Sequence, residues 1–500
     1  MEQNKKRAAG ILLPVTSLPS DYGIGCFSKE AYKFADWLAE AKQSYWQILP
    51  IGPTSFGDSP YQSFSSYAGN PYMIDLERLI DEGLLTKKEC DGADFGTEER
   101  YIDYEKLYNS RYKLLKTAYV RSGAESDEKF KRFCRENESW LEDYALFTAV
   151  KEYFKGAEHT KWNKDIAMRE DKNRYAQMLS ESVEFYKYIQ YKFYEQWESL
   201  KEYVNNNGIE IIGDLPIYVS ADSADVWANP RLFMLDEKNN PTFVAGCPPD
   251  GFSPKGQLWG NPIYNWEEHK RENYKWWINR IRHAFRLFDI VRIDHFRGFD
   301  QYYQIPSGSE DAILGEWKTA PGEELVEAIK KELGEKRFIA EDLGFVTDSV
   351  KELLKKCGFP GMRVLQFAFD ARDTGNTNDY LPHNYINNCA AYTGTHDNPT
   401  IAEWYTDITP AEEKAVRDYL CDWYTPAGKM NIPLIGAVMR SIADICIIPL
   451  QDYMGLGKEA RINVPSTVGK NWIWRLKKGE ADEKLLRLVK KITVSCGRAN

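Results

Sequence analysis

The sequence holds six histidines in 500 residues, and none stands in an H-x-H or H-E-x-x-H pattern. A hydrolytic metal centre built from clustered imidazoles therefore has little support. The nine cysteines include no C-x-x-C pair and are odd in number, which suits a reduced protein better than a disulfide framework. No apolar run approaches the ~20 residues that span a bilayer. Met1–Arg7 is polar and Gly10–Val15 is too short for a signal-peptide core, so a cytoplasmic location is expected. Phosphate-binding patterns are missing too: Gly23-Ile24-Gly25 lacks a third glycine, and neither a P-loop nor a G-x-S-x-G elbow occurs. Positive charge is in deficit, with 65 Lys+Arg against 75 Asp+Glu and a net charge of −10. That balance argues against a nucleic-acid partner, which would want a basic face.

What is present is an ordinary globular balance, 43% hydrophobic and 28% charged, with aromatics at 14%. Flat rings enlarge cores and also stack on flat ligands such as sugars. The length allows roughly three domains of ~150 residues, or one α/β barrel with insertions.

Eight short, mostly apolar runs bounded by turn signals read as strands: Gly10–Val15, Tyr45–Ile51, Glu210–Val219, Asp289–Phe296, Arg337–Gly344, Gly361–Phe369, Cys389–Asp397 and Ala443–Asp452. Continuous apolar runs suit parallel strands covered on both faces. Helical patterns lie between them. Ser28 can cap a helix with Ala31, Phe34, Ala35 and Leu38 on one face, and Thr409-Pro410 opens another with acids in its first turn. The alternation predicts an α/β fold, a (β/α)8 TIM barrel occupying 1–500 as a single catalytic unit. Its spacing is uneven. About 53–205 reads as an inserted, mostly helical subdomain, and about 220–272 as an inserted loop-rich segment over the active site. About 48 residues follow the eighth run, too few for a C-terminal β-sandwich.

Barrel enzymes place chemistry at the C-terminal ends of strands. Acids stand there in a ring: Asp214, Asp294, Glu341, Asp342, Asp370, Asp397 and Asp452, with no lysine inside the eight runs. Arg292 and Asp294, two apart, share a strand face, and Arg292 is expected to hold Asp294 ionised, as a carboxylate nucleophile needs. Glu341 follows an apolar run, where partial burial would raise its pKa toward that of a general acid. Each acid alone could be structural; three on separate strands suit glycoside chemistry, with one attacking the anomeric carbon, one protonating the leaving oxygen and a third gripping hydroxyls.

At these runs the chain resembles the amylomaltases or disproportionating enzymes, the 4-α-glucanotransferases related to the α-amylase superfamily. The resemblance runs almost end to end, through SLPSDYGIG (17–25), GDSPYQSFSSYAGNPY (57–72), GDLPIYV (213–219), PPDGFSPKGQLWGNPIY (248–264), VRIDHFRG (291–298), AEDLG (340–344), VLQFAFD (364–370), YTGTHDN (392–398) and RINVPST (461–467). It implies Asp294 as nucleophile, Glu341 as general acid and then base, and Asp397 as transition-state stabiliser beside His396. It implies that Arg292 and Asp214 hold nucleophile and sugar, that Tyr61 stacks on the donor, and that Ser59, Gln257, Trp259, Asp370 and Asn463 line the cleft.

The implied activity is a retaining transfer of α-1,4-glucan segments between maltooligosaccharides or starch-like glucans. A hydrolase of the same superfamily and a catalytically silent glucan-binding protein remain as alternatives. No cofactor and no catalytic metal are implied, because a carboxylic acid activates the leaving group. The expected partners are α-1,4-glucans, with no nucleic acid and no membrane; the oligomeric state is left open.

Overall fold

The computed structural model describes residues 7–249, 253–344, 346–370 and 379–499. In chain order its strands are β1 (Ala8–Leu12), β2 (Tyr45–Gln47), β3 (Glu210–Leu215), β4 (Phe243–Cys247), β5 (Gln257–Pro262), β6 (Ile290–Ile293), β7 (Gln301–Pro306), β8 (Glu316–Thr319), β9 (Phe338–Ala340), β10 (Gly361–Val364), β11 (Cys389–Tyr392) and β12 (Ile445–Pro449). Eight of them close a parallel barrel in the order β1-β12-β11-β10-β9-β6-β3-β2. These are the eight expected runs, seven of them trimmed and the first shifted to start at Ala8 instead of Gly10. β3, for example, ends at Leu215 because Pro216 has no N–H to give the ladder.

The barrel interior is filled by every second residue. Leu12, Ile212, Ile290, Ile339, Val364, Tyr392 and Ile447 belong to one buried cluster there. The same parity continues past that cluster: Ile212 leads to Asp214, Ile290 to Arg292 and then Asp294, and Ile339 to Glu341. Where the two layers meet, the Tyr392 hydroxyl donates to Gln47 Oε1 at 2.9 Å. The outer faces pack on helices. Glycine at 213 is required by a close approach, since a Cβ there would come within 2.1 Å of the Phe288 ring.

The helices follow their sequence signals closely. Thr409 and Glu412 form a capping box on Pro410–Leu420, and Thr347 caps Asp348–Cys357, which Gly358 closes at φ 73°. Ser28 takes the N-cap place before Lys29–Glu40, but its hydroxyl makes no cap bond. Between β2 and β3 run helices Tyr104–Ser122, Glu128–Glu136, Glu138–Tyr153 and the 27-residue Ser180–Asn206. The last returns along the barrel wall. Its Tyr203 hydroxyl donates to Asp36 at 2.7 Å, and its Gln190 amide exchanges bonds of 2.7 and 2.9 Å with the backbone of Gly69. Gly69 lies eight residues past Tyr61, so this helix anchors the loop that carries Tyr61.

One element was not expected. β4, β5, β7 and β8 form a second, antiparallel sheet in the order β5-β4-β7-β8. Two of its strands lie inside the 220–272 segment, which reads as irregular because QLWGNP is polar and half exposed. β7 follows directly on the turn after β6, so this sheet stands at the mouth end of the barrel.

Candidate active site

Val291, Arg292 and Ile293 of β6 pair with Phe338, Ile339 and Ala340 of β9. Asp294 and Glu341 are therefore each one step past the last paired residues of neighbouring strands, whose axes lie about 4.8 Å apart. The ladder bonds carry on through both acids: Asp294 N–H donates to Leu215 O, and Glu341 N–H to Ile293 O, each at 3.0 Å. Next, His295 turns into the left-handed region at φ 50°. That turn aims its N–H at Glu341 Oε2, at 2.6 Å, while Leu343 N–H reaches Oε1 at 3.1 Å.

Arg292 lies on the floor between acids. Its Nη1 donates to both oxygens of Asp214 at 2.8 and 2.7 Å and to Asp294 Oδ1 at 3.1 Å. The Asp214 side chain is wholly enclosed, whereas that of Asp294 is 27% exposed to the cleft. Tyr61 closes the group from the side, its hydroxyl donating to Asp214 Oδ2 at 2.9 Å. Ser59 Oγ accepts from the Tyr61 N–H at 3.2 Å, which fixes the loop.

The turn after β11 supplies the third acid. Asn463 Nδ2 donates to Asp397 Oδ1 at 2.6 Å, and His396 Nε2 lies 3.4 Å from the same oxygen. The Tyr61 and His396 rings stack at 5.1 Å and 14°. The Trp259 indole N–H donates to Gln257 Oε1 at 3.1 Å, and its ring stands edge-on to His295 at 4.9 Å.

Burial pushes Asp294 well above the ordinary carboxylate range; Arg292 opposes this, and Asp214, Glu341 and Asp397 add to it. Arg292 therefore acts on Asp294 in the expected direction, lowering its pKa, but burial outweighs it and the guanidinium is shared with Asp214. Burial also raises Glu341, against Arg292 and the two backbone N–H donors. Burial keeps His396 below its ordinary value, hence neutral at pH 7, in spite of Asp397.

The ring of seven acids resolves into two sets. Asp342, one residue past Glu341, has the opposite parity: its oxygens accept from Met362 N–H at 2.6 Å and from Arg363 at 3.3 Å, away from the floor. Asp452 is buried against Thr393 and Ile401. Asp370 is partly exposed at the end of the short helix Leu365–Phe369 that follows β10. Residues 250–252 of the PPDGFSP motif lie outside the described residues.

Three neighbours escaped the sequence reading. His295 stood inside VRIDHFRG, and the left-handed turn that makes its N–H useful has no sequence mark. Arg461 stood beside Asn463; it donates to the carbonyls of Asp397 at 3.1 Å and Asn463 at 2.9 Å. Trp472 lies with its ring 5.7 Å from Tyr61 and 5.9 Å from His396, and one tryptophan among fifteen gave no signal.

A family model described as 4-alpha-glucanotransferase matches residues 13–481. The chain belongs to that family. A 4-alpha-glucanotransferase of Clostridium butyricum is 45% identical over 489 residues, 97% of this chain and 99% of that one. The chloroplastic/amyloplastic 4-alpha-glucanotransferase of Solanum tuberosum is 40% identical, covering 98% of this chain and 86% of its own. Among solved structures, an amylomaltase from Streptococcus agalactiae in complex with acarbose superposes with a TM-score of 0.95 at 42% identity, over 99% of this chain and 100% of that one. The shared closed barrel and this full-length identity make the chain an enzyme of the glucanotransferase family. No described helix is long and apolar enough to cross a membrane.

Proposed function

We propose that this enzyme moves α-1,4-glucan segments from a donor maltooligosaccharide or starch-like glucan to the 4-hydroxyl of an acceptor glucan, with retention at the anomeric carbon. The observation that carries the reading is the placement of Asp294 and Glu341 one step past paired residues on adjacent strands. That spacing suits a retaining pair, whose carboxyl groups stand about 5–5.5 Å apart.

In this reading Asp294 Oδ attacks the anomeric carbon as Glu341 passes its proton to the departing glycosidic oxygen. The products are a glucosyl ester on Asp294 and a shortened glucan carrying a new 4-hydroxyl. Glu341, now ionised, takes the proton of the acceptor 4-hydroxyl, whose oxygen displaces Asp294. Arg292 stabilises the carboxylate released in that step. Asp397, held by Asn463, and the neutral His396 grip donor hydroxyls as the ring flattens. Tyr61 lies under the donor sugar, and Ser59, Gln257, Trp259 and Asp370 line the remaining wall.

Transfer in preference to hydrolysis follows from who reaches the ester. We assign the segments about 53–205 and 220–272 to the walls of the cleft, where they exclude water and present rings to an acceptor. Maltotriose tests this directly. A ladder of longer oligosaccharides with free glucose supports transfer, whereas reducing ends released without longer chains would favour a hydrolase. Asp294→Asn should abolish turnover and leave glucan binding intact; a wild type that binds glucan and turns over nothing would return the reading to a binding protein.

A further inference from the structure

Asp452 is a buried acid that the chemistry above does not use. It lies in the first turn of the short helix Leu450–Met454, just past β12, and is 1% exposed. Its Oδ2 accepts from the Thr393 hydroxyl at 2.5 Å, and its Oδ1 from the Ile401 N–H at 2.8 Å. Its own carbonyl accepts from Asn431 Nδ2 at 2.8 Å, which ties it to the helix Asn431–Arg440.

The two partners of this carboxyl group are the ends of one loop. Thr393 directly follows β11, and Ile401 opens the helix Ile401–Asp407. The seven residues between them carry His396 and Asp397. Within the loop, Asn398 Oδ1 accepts from the Thr395 N–H at 2.9 Å and hydroxyl at 2.8 Å. From the far side, Arg461 holds the Asp397 carbonyl and the Asn463 N–H donates to the His396 carbonyl at 3.2 Å. The Asp397 side chain is 46% exposed and is held at its tip by Asn463. Its backbone is placed by the loop, and the span of the loop is set where both ends meet one carboxyl group. Desolvating that group is costly, and burial lifts its pKa to about 7. An apolar residue would fill the same space without that cost but would leave two buried donors unpaired.

We propose that Asp452 is a positioning residue for the reaction, a clasp that closes the 393–401 loop and so fixes Asp397 against the donor sugar. The inference rests on the reading of Asp397 given above. It acts through geometry, so an uncharged side chain with the same two bonding atoms should serve: Asn at 452 can accept from Ile401 and donate to Thr393 Oγ1.

The test is a double-mutant cycle on kcat/KM for maltotriose, joined to acarbose affinity by calorimetry and amide exchange over 394–400. Asp452→Asn should stay within about threefold of wild type, while Asp452→Ala should fall by roughly 30- to 100-fold, bind acarbose more weakly and exchange faster in the loop. In an Asp397→Asn background the same Asp452→Ala change should add less than about twofold, because residues acting as a unit are not additive. Equal losses in both backgrounds, or an unchanged loop in a folded Asp452→Ala enzyme, would overturn the clasp. Should Asp452→Ala fail to fold, Thr393→Val removes one arm alone and enters the same cycle. Asp397→Asn by itself reports separately on the reading of Asp397: full activity in that variant would sink that reading even where exchange shows the loop loosened.

Discussion

Arg292 lies nearer to Asp214 than to Asp294, with Nη1 contacts of 2.7 and 2.8 Å against one of 3.1 Å. Asp214 thus takes up much of the positive charge that would otherwise favour ionised Asp294, and it adds its own negative charge nearby. Replacing Asp214 by Asn removes that charge and leaves the guanidinium to Asp294. The Asp294 pKa should fall, so the acid limb of the kcat/KM profile should move to lower pH. Activity at the optimum should still drop by roughly 10- to 100-fold, because Tyr61 loses a charged acceptor and a buried network is broken. A pH–rate profile on maltotriose measures both effects, and an acid limb that moves to higher pH would contradict this account of the floor.

Glu341 is asked to donate a proton in the first step and to accept one in the second. Glu341→Gln should lower turnover of maltotriose by about 10²–10⁴-fold, the usual share of general acid–base catalysis. A maltosyl fluoride donor needs no protonation to leave. With that donor the variant should form the ester on Asp294 and stall there, and intact-protein mass spectrometry should find it heavier by one maltosyl group. An adduct that never accumulates, with fluoride release as slow as maltotriose turnover, would argue against Glu341 as the acid.

Much of this arrangement was legible in the residues. The eight apolar runs gave the barrel strands, because a strand buried on both faces must be apolar throughout. The carboxylates stood out as acids at the ends of such runs. Parity could have sorted them further: Glu341 and Asp342 are neighbours and must face opposite ways, and the structure turns Asp342 toward Met362 and Arg363. The second sheet was not legible, since β8 is only Glu-Trp-Lys-Thr and is largely exposed. Nor was the sharing of Arg292, which depends on a β3–β6 pairing between residues 78 apart.

Asn463 offers a sharper test of Asp397 than removing the acid itself. Asn463→Ala deletes one 2.6 Å bond to a half-exposed carboxylate and should lower kcat/KM about fivefold to tenfold, near 1 kcal/mol. Asn463→Asp is nearly the same shape but places a second negative charge against Asp397. Like charges at that distance favour a shared proton, so the loss should exceed about 100-fold near neutral pH and lessen toward acid pH, where one of the pair is protonated. Asp and Ala variants of equal activity would mean that Asn463 serves only to fill space.

Two histidines outside the catalytic group, His269 buried and His283 half-buried, contribute to acid stability. His269 donates from Nε2 to the Leu232 carbonyl at 3.1 Å, and His283 Nε2 lies 2.7 Å from the Tyr194 hydroxyl and 3.0 Å from the Tyr67 carbonyl. Burial lowers both to about 4. In the unfolded chain each takes a proton near pH 6.5, while the folded protein refuses it until about 4. Their contribution is therefore full above pH 6.5 and is lost as pH falls toward 4, at up to roughly 2.7 kcal/mol per pH unit for the pair. Buried acids with raised pKa act in the opposite sense: Asp452, protonated in the folded state up to about 7, becomes less favourable to folding as pH rises from about 4. Urea midpoints between pH 4 and 7 separate the two. His283→Gln should flatten the acid-side fall by about half of what the histidine pair contributes, and Asp452→Asn should steepen it. If the His283→Gln enzyme lost stability toward acid as steeply as wild type, protonation of that ring would not be what unfolds the protein.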